Sequence, residues 1–437
     1  DTVEATDPQT IRIKMKADDP NMLNVLDSLQ IVPIVPKAVW GKVEEENNND
    51  IAGIRKFTNK QSPVASGPYN IYRVDDQSIV LKRNDDYWGV VRFGKLPTPK
   101  YIYQPFYKSN DTVTMDLKEG KLDWAQVFIP KIWDIMEENQ NIKTYLDDFP
   151  YHVPASMPSL IINTTRPGLD NPQVRRAIAY CINYDKIAEA AMSKYTDKVV
   201  PMLCMNDGLE NKYVDMDALK ELQWSYDPDK ANEILDSLGA KPGNDGIRVL
   251  PDGTRMSWKL ESPYGATDWN AAMEVVSQSA KAIGVELQST MPESGVCASN
   301  RQMGNFDISI IMPGEGIRPS QPWYRYKDIM SSDGVAPVGE LTFNNFGRYK
   351  NDRATEIVDE IPRTKDEAKL RELHTEINKI FLEDVPMIPV MYRPFKFYQV
   401  NESHWTNFPQ DGDGTNHPPM IDRGAGIWTF YDIQPRQ

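Results

Sequence analysis

Hydrophobic and polar positions repeat with two different periods along this chain. Residues 10–16 alternate strictly between apolar and polar side chains, which predicts a half-buried strand. Residues 172–182 place apolar side chains at i, i+3, i+4, i+7 and i+8, which predicts an amphipathic helix. The polar face of that helix begins with Arg175 and Arg176, and we interpret this pair as solvent-exposed.

The same criteria predict most of the remaining elements. We expect a hairpin over 69–81, strands over 101–103, 159–163, 256–260, 285–287, 306–311 and 387–390, and helices over 111–120, 227–239, 272–284 and 364–381. The cap signals are Asp170 or Asn171 for the 172–182 helix, Asn110 for the 111–120 helix, Asp227 for the 227–239 helix and the Thr364–Glu367 spacing for the last helix. Pro389 indicates that the last strand lies at a sheet edge.

The order of these elements predicts an α/β fold. Strands alternate with helices over 158–398, which indicates a lobe with a partly parallel sheet. Residues 63–157 are richer in strands and form a separate lobe in this interpretation. The segment 399–437 is rich in Pro, Gly and Asp, and we expect it to pack back on the 63–157 lobe. Residues 1–62 stand apart as an entry segment.

Charge and composition narrow the function. The 437 residues include 49 Lys and Arg against 63 Asp and Glu, a net charge of −14. An acidic chain is not attracted to a phosphate backbone, so we expect no nucleic-acid partner. No apolar run reaches the roughly 18 residues of a membrane span. Of the three cysteines, Cys181 falls on an apolar helix stripe, whereas Cys204 and Cys297 lie in loops where a bridge between them is one alternative.

Familiar catalytic and cofactor motifs are missing from the sequence. It has no G-x-S-x-G, no metal-type His or Cys spacing and no glycine-rich phosphate loop. We therefore expect no cofactor, no metal and no catalytic residues. Residues 411–416 resemble the opening of a calcium loop, but Asn416 stands where the loop needs Gly and Asp422 where it needs Glu. A polar surface turn is the interpretation we favour there, with calcium as the alternative.

Two aromatic loops carry the strongest binding signal. Residues 264–269 follow the strand that ends near Leu260, and residues 313–324 follow the strand that ends at Ile311. Open α/β sheets bind ligands beyond the carboxyl ends of their strands. Flat rings beside hydrogen-bonding groups suit sugars, although packing within the fold is the alternative for each ring. The candidates from these loops are Tyr264, Trp269, Glu315, Arg318 and Trp323.

Six sequence stretches, taken in order, resemble one family. They are Ser66-Gly67-Pro68-Tyr69 with 83–89, then 117–124, 162–178, 226–231, 304–307 and 384–389. In this order they resemble the family-5 extracellular solute-binding proteins of ABC importers, the group with oligopeptide-, dipeptide-, nickel- and oligosaccharide-binding members. The resemblance covers nearly the whole chain.

The resemblance implies a periplasmic-binding-protein-like (type II) fold with two lobes and mixed sheets. Ligand would be captured between the lobes, with hinges near Leu160–Asn163 and Phe397–Val400, and delivered to a membrane permease. The family's N-terminal part has no counterpart here, so residues 1–62 would be a remnant of a small inserted domain and lobe one would be incomplete. The resemblance also implies an extracytoplasmic monomer, as a periplasmic protein or a cell-surface lipoprotein, that catalyses no reaction.

The resemblance leaves the ligand open between sugar and peptide. Peptide-binding members have an Asp in the loop after the strand at 306–311, whereas Arg318 stands near that position here and would repel an ammonium group. Residues 322–326 and 405–409 look most like the oligosaccharide-binding branch, and they add Tyr326 to the candidates, while the 162–178 stretch adds Asn163. The alternatives are an oligopeptide-binding component, a sensor ectodomain and a carbohydrate hydrolase.

Overall fold

A computed structural model gives the fold of the chain. It describes residues 2–17, 20–59, 63–205, 210–314, 318, 320–394, 396–412 and 426–437. The chain divides into two compact units, which are described separately. Unit 1 comprises residues 1–28 and 149–395, and unit 2 comprises residues 29–148 and 396–437.

The strands of both units are short. In chain order they are β1 (Thr2–Asp7), β2 (Thr10–Lys14), β3 (Tyr69–Val74), β4 (Ser78–Arg83), β5 (Tyr101–Pro105), β6 (Trp124–Ala125), β7 (Ile142–Thr144), β8 (Pro154–Ser156), β9 (Ser159–Ile162), β10 (Lys241–Pro242), β11 (Arg248–Val249), β12 (Ser257–Glu261), β13 (Glu286–Thr290), β14 (Ile308–Ile311), β15 (Met387–Pro389), β16 (Arg393–Pro394), β17 (Gln399–Asn401), β18 (Trp405–Thr406) and β19 (Gln434–Pro435).

The longer helices belong to unit 1. In chain order the helices are α1 (Met22–Ile31), α2 (Lys37–Glu46), α3 (Ile51–Ile54), α4 (Val90–Phe93), α5 (Asn110–Lys118), α6 (Ile132–Glu138), α7 (Pro172–Cys181), α8 (Tyr184–Ala190), α9 (Met216–Leu219), α10 (Pro228–Ser237), α11 (Thr267–Ala282), α12 (Ser294–Met303), α13 (Trp323–Met330), α14 (Asp352–Glu360), α15 (Glu367–Asp384) and α16 (Thr429–Asp432). Short 3₁₀ turns span Asn211–Tyr213 and Ile361–Arg363. None of the helices in the described ranges is long and apolar enough to cross a membrane.

A five-stranded mixed sheet organises unit 1. Its order is β13-β12-β14-β9-β15, with β12 parallel to both β13 and β14 and β9 antiparallel to both of its neighbours. The predicted partly parallel sheet is therefore confirmed. β15 stands at an edge, as Pro389 indicated, because a residue without an N–H cannot donate to a second neighbour.

Two of the four predicted caps begin their helices in the structure. The side chain of Asn171 accepts from the N–H of Gln173 at the start of α7, and Asp227 accepts from Lys230 at the start of α10. Two predictions shift by a residue or two. Ser109 rather than Asn110 caps α5, and Asp366 caps α15 in place of the Thr364 capping box.

The interpretation of Arg175 as a solvent-exposed residue is wrong. Its side chain is 3% exposed, and its guanidinium donates to the carbonyls of Leu169, Asp170, Asp384 and Val385. Asp384 is the last residue of α15, so Arg175 satisfies carbonyls that the helix end leaves without partners. A cation is also favourable there because the carboxyl end of a helix carries partial negative charge.

The described part of unit 2 contains two three-stranded sheets and the two-stranded sheet of β18 and β19. β3, β4 and β5 form an antiparallel meander, which confirms the predicted hairpin, and β17 lies between β6 and β7. A core cluster joins early and late parts of the chain: Tyr69, Tyr398, Val400, Phe408, Phe430 and Ile433. The segment after residue 396 therefore packs on elements that begin more than 300 residues earlier.

One further expectation needs correction. β2 pairs with β1 as a strand, but every residue of both strands is exposed rather than half-buried.

The predicted hinge segments overlap the ends of two paired strands. Leu160–Ile162 belong to β9, whereas Asn163 follows it, and β17 begins at Gln399, after Phe397. The chain passes between the units at 28–29, 148–149 and 395–396. The positions of the hinges stay a prediction.

Candidate ligand-binding site

Two loops begin at the same end of the unit 1 sheet, where β12 and β14 terminate. β12 ends at Glu261 and β14 ends at Ile311, and the two strands are parallel neighbours in which Glu261 lies opposite Ser309. The segments that follow, 262–270 and 312–322, therefore start side by side. We call them the carboxyl rim. Open α/β sheets bind their ligands at this end, beyond the carboxyl ends of the strands.

The first rim segment combines aromatic rings with polar atoms that lack partners. Tyr264 is 55% exposed, and Trp269 is half-buried on the first turn of α11. Ser262 Oγ, Trp269 Nε1 and Asn270 Oδ1 are buried and have no hydrogen-bond partner among the described residues. Such atoms are costly to bury without a partner and mark places where a ligand or water completes the bonding.

Sequence reasoning missed Ser262 and Asn270. They lie on either side of the aromatic loop, Ser262 directly after the end of β12 and Asn270 directly after Trp269. Only for Ser262 was a signal available, its position just after the predicted strand. A hydroxyl and an amide are common on protein surfaces, so residue type alone did not distinguish them.

An ion pair neutralises the carboxylate of the same segment. Asp268 is 1% exposed, and its Oδ2 accepts from Arg393 Nε at 2.6 Å. Burial, together with the charge of Arg393, lowers the pKa of nearby His152 to about 3, so that imidazole is neutral at physiological pH. The rim segment 262–270 thus presents neutral hydrogen-bonding groups rather than a free charge.

The second rim segment is anchored on α13. The N–H of Gly314 donates to Asp328 Oδ2 at 2.8 Å, and the carbonyl of Gly314 accepts from Gln321 Nε2 at 3.3 Å and from Arg318 Nε at 3.2 Å. The Arg318 guanidinium lies 3.7 Å from the centroid of the Tyr324 ring, a cation–π contact. The contact of Arg318 with a ligand stays a prediction, and Glu315 lies outside the described residues.

Trp323 and Tyr326 are core residues in this structure. Trp323 is 2% exposed, and its Nε1 donates to the carbonyl of Val358 at 2.7 Å. Tyr326 is fully buried, with its hydroxyl 2.8 Å from Cys204 Sγ and 3.0 Å from His374 Nδ1. Both side chains are held by hydrogen bonds within unit 1, and their contact with a ligand stays a prediction.

Asn163 lies at the opposite end of the sheet from the rim. It is fully buried, and its Nδ2 donates to the carbonyls of Gly304 at 3.1 Å and Phe306 at 3.0 Å. Its Oδ1 accepts from the N–H and hydroxyl of Thr165. The side chain therefore fastens β9 to the segment before β14, and its contact with a ligand stays a prediction.

The cysteines are thiols in this structure. Cys181, Cys204 and Cys297 are all buried and unbridged, so the alternative of a bond between Cys204 and Cys297 is wrong. They belong to different surroundings, since Cys204 contacts Tyr326 whereas Cys297 Sγ lies 3.7 Å from the carbonyl of Pro292. Burial raises the pKa of Cys204 to about 12 and that of Cys297 to about 11, so neither thiol is reactive at neutral pH.

Metal binding has no support within the ranges described. No group of three or more His, Cys, Asp or Glu side chains in those ranges is arranged to hold an ion. The segment that resembles a calcium loop begins at Asp411, and its residues from 413 to Asp422 lie outside the described residues.

Comparison with known proteins decides the family. The model of bacterial extracellular solute-binding proteins, family 5 (middle part), matches residues 1–336. The chain belongs to this family. It is therefore an extracytoplasmic solute-binding component of an ABC importer, a protein that works with a membrane permease.

Relatives and solved structures agree with this assignment. The glutathione-binding protein GsiB of Escherichia coli K12 is 22% identical over 412 residues, which are 93% of this chain and 70% of GsiB. A mannohexaose-bound periplasmic oligopeptide-binding protein from Thermotoga maritima superposes with a TM-score of 0.91 at 28% identity, over 100% of this chain and 79% of that one. The Bacillus subtilis oligopeptide-binding protein AppA, in complex with a nonapeptide, gives 0.76 at 19% identity over 100% and 78%, and supports the fold alone.

Proposed function

We propose that this solute-binding protein captures an oligosaccharide and delivers it to its permease. The observation that carries the proposal is the carboxyl rim, where the rings of Tyr264 and Trp269 share a segment with three buried polar atoms. These atoms, Ser262 Oγ, Trp269 Nε1 and Asn270 Oδ1, have no hydrogen-bond partner in the described part of the chain. A pyranose has apolar C–H faces and hydroxyl edges, so it can stack on a ring while its hydroxyls bond to such atoms. The Thermotoga maritima protein named as bound to mannohexaose adds support, since it is similar over this whole chain.

The charges of the rim favour a sugar over a peptide. A peptide's ammonium group needs a free carboxylate, but Asp268 is already paired with Arg393. Arg318 adds a cation at the second rim segment, and a cation repels an ammonium group. A neutral sugar meets neither penalty. The oligopeptide-binding alternative remains the competing hypothesis because AppA and GsiB share the fold.

The proposal is tested by titrating the protein with oligosaccharides and peptides. We would follow intrinsic tryptophan fluorescence with manno- and gluco-oligosaccharides and with short peptides. A ligand at 100 times its dissociation constant should also add about 2.7 kcal/mol of stability. Trp269→Phe should weaken the sugar response at least about tenfold, which corresponds to about 1.4 kcal/mol. Trp428→Phe is the control, because Trp428 belongs to unit 2 and is 41% exposed.

Each outcome separates the alternatives. A saturable response to a sugar series without release of smaller sugars supports binding for transport and contradicts a carbohydrate hydrolase. A response to peptides alone would refute the argument from Arg318 and Asp268. A sugar response that Trp269→Phe leaves unchanged would place the ligand away from this part of the rim. If cells that lack this protein still import the sugar, the protein is not needed for import, and a sensor role is favoured.

A further inference from the structure

A pocket separate from the carboxyl rim lies in unit 1, on a face of the sheet. It has a volume of about 210 Å³ and lies where β12 and the start of β14 meet α12. Lys259 and Glu261 point into it from β12, since alternate residues of a strand share a face. Trp258 and Leu260 are buried, on the opposite face. We propose that this pocket binds one neutral pyranose ring.

The pocket has hydrogen-bonding capacity that the fold does not use. Glu261 is 5% exposed, and its Oε2 accepts from Asn300 Nδ2 at 2.9 Å, but its Oε1 has no partner among the described residues. Lys259 and Asn305 are exposed, and neither side chain has a hydrogen bond or ion pair within those residues. An acceptor deep in the pocket and two donors near its mouth are thus available to a ligand.

An apolar wall faces these polar groups. Phe306 is 4% exposed, and it lines the pocket together with Pro292. The combination of an apolar wall with an amide, an amine and a carboxyl oxygen matches a molecule that has C–H faces and several hydroxyls. Burial raises the pKa of Glu261, because its ionised form is less well solvated there than in water.

Size and charge balance narrow the ligand further. The volume lies below the roughly 300–1,000 Å³ of pockets for drug-sized molecules, so the pocket fits one ring rather than an oligomer. Of the three charged residues that line the pocket, Asp307 is paired with Arg166 at 3.0 Å. Lys259 and Glu261 carry opposite charges when both are ionised, so a simple anion or cation would leave one of these two uncompensated. The pocket includes no residue of the carboxyl rim, and the inference does not depend on the transported ligand being a sugar.

The test is a titration of the ¹⁵N-labelled protein with methyl α-D-mannopyranoside, followed by NMR. A ligand this small should bind with a dissociation constant of the order of millimolar. The side-chain amide signals of Asn300 and Asn305 should shift saturably. The double variant Lys259→Met, Asn305→Ala should bind at least about tenfold more weakly, and it should fold because both side chains are exposed. Lys281→Met, an exposed lysine on α11, is the charge-matched control and should bind as the parent does.

Three results would overturn the inference. They are an absence of shifts in the parent protein, shifts confined to Ser262, Trp269 and Asn270, and a preference for the zwitterion L-alanine over the pyranoside. The oligosaccharide response at the rim should persist in the Lys259→Met, Asn305→Ala variant. Failure of this pocket and failure of the proposed transport function are therefore distinguishable.

Discussion

Replacing Arg175 by alanine should destabilise unit 1 more than any surface substitution. The guanidinium donates to four carbonyl oxygens, with Nη1 at 2.7 Å from Leu169 O and Nε at 2.9 Å from Val385 O. Burial lowers the pKa of Arg175 to about 10, which leaves the group protonated at neutral pH. Alanine would remove every donor at once and leave the buried carbonyls without partners.

The size of this effect follows from those bonds. Each buried carbonyl that loses its donor costs about 1–3 kcal/mol of stability. The total cost of breaking a buried charged interaction is about 3–5 kcal/mol, less than the sum over four carbonyls, because water entry and structural relaxation recover part of it. We therefore expect a loss of about 4 kcal/mol. With a urea dependence of about 3 kcal/mol per molar, the unfolding midpoint of unit 1 should fall by roughly 1 M.

Urea unfolding monitored by circular dichroism and fluorescence is the assay, with the transitions of the two units fitted separately. Arg175→Lys should recover only part of the loss, because one ammonium group cannot reproduce the planar fork. Arg371→Ala removes the same charge from an exposed position on α15 and should change stability by less than about 0.5 kcal/mol. A stability loss below about 1 kcal/mol for Arg175→Ala would refute the reasoning, as would equal losses for Arg175→Ala and Arg371→Ala.

Three further predictions concern unit 1. Burial lowers the pKa of His374 to about 4, below the usual histidine value of about 6.5, so the unfolded chain binds the proton first as the pH falls. This contribution to stability is complete above pH 6.5 and falls by about 3 kcal/mol as the pH drops to 4. His374→Gln should make the fall in unfolding free energy over that range about 3 kcal/mol smaller, and an unchanged pH profile would contradict this. Gly314→Ala should weaken sugar binding and lower the melting temperature, because the backbone φ of Gly314 is +75° and an added Cβ would lie 2.8 Å from Gln321 Nε2. Gly295→Ala is the control and should change neither quantity, because Gly295 is at an open position. Trp323→Phe should cost about 1–3 kcal/mol of stability in urea unfolding, because it removes the hydrogen bond from Trp323 Nε1 to the carbonyl of Val358. Sugar affinity should stay the same, and a selective loss of affinity would indicate that Trp323 contacts the ligand.

Local features of the chain were predictable because they depend on neighbours in sequence. The apolar stripe of α7, the caps at Asn171 and Asp227, the β3–β4 hairpin and the edge position of Pro389 all follow from side-chain spacing, backbone conformation and a missing N–H. The family also follows from the sequence, because its motifs keep their residues and their order.

The candidate site was predictable only in part. The end of β12 and the loop after it could be located from the pattern, and Tyr264 and Trp269 lie where that pattern indicated. The unpartnered atoms of Ser262 and Asn270 could not be inferred, because a residue's hydrogen-bonding state depends on what surrounds it.

Long-range packing decided what the sequence left open. Arg175 begins a polar helix face, yet carbonyls 209 and 210 positions away enclose it. Trp323 lies in a loop region that looked suited to ligands, yet the carbonyl of Val358 takes its N–H. Asn163 follows a strand, but its bonds run to a segment more than 140 residues later. Periodicity fixes which side of an element is apolar, whereas burial of an individual side chain depends on which distant segment packs against it.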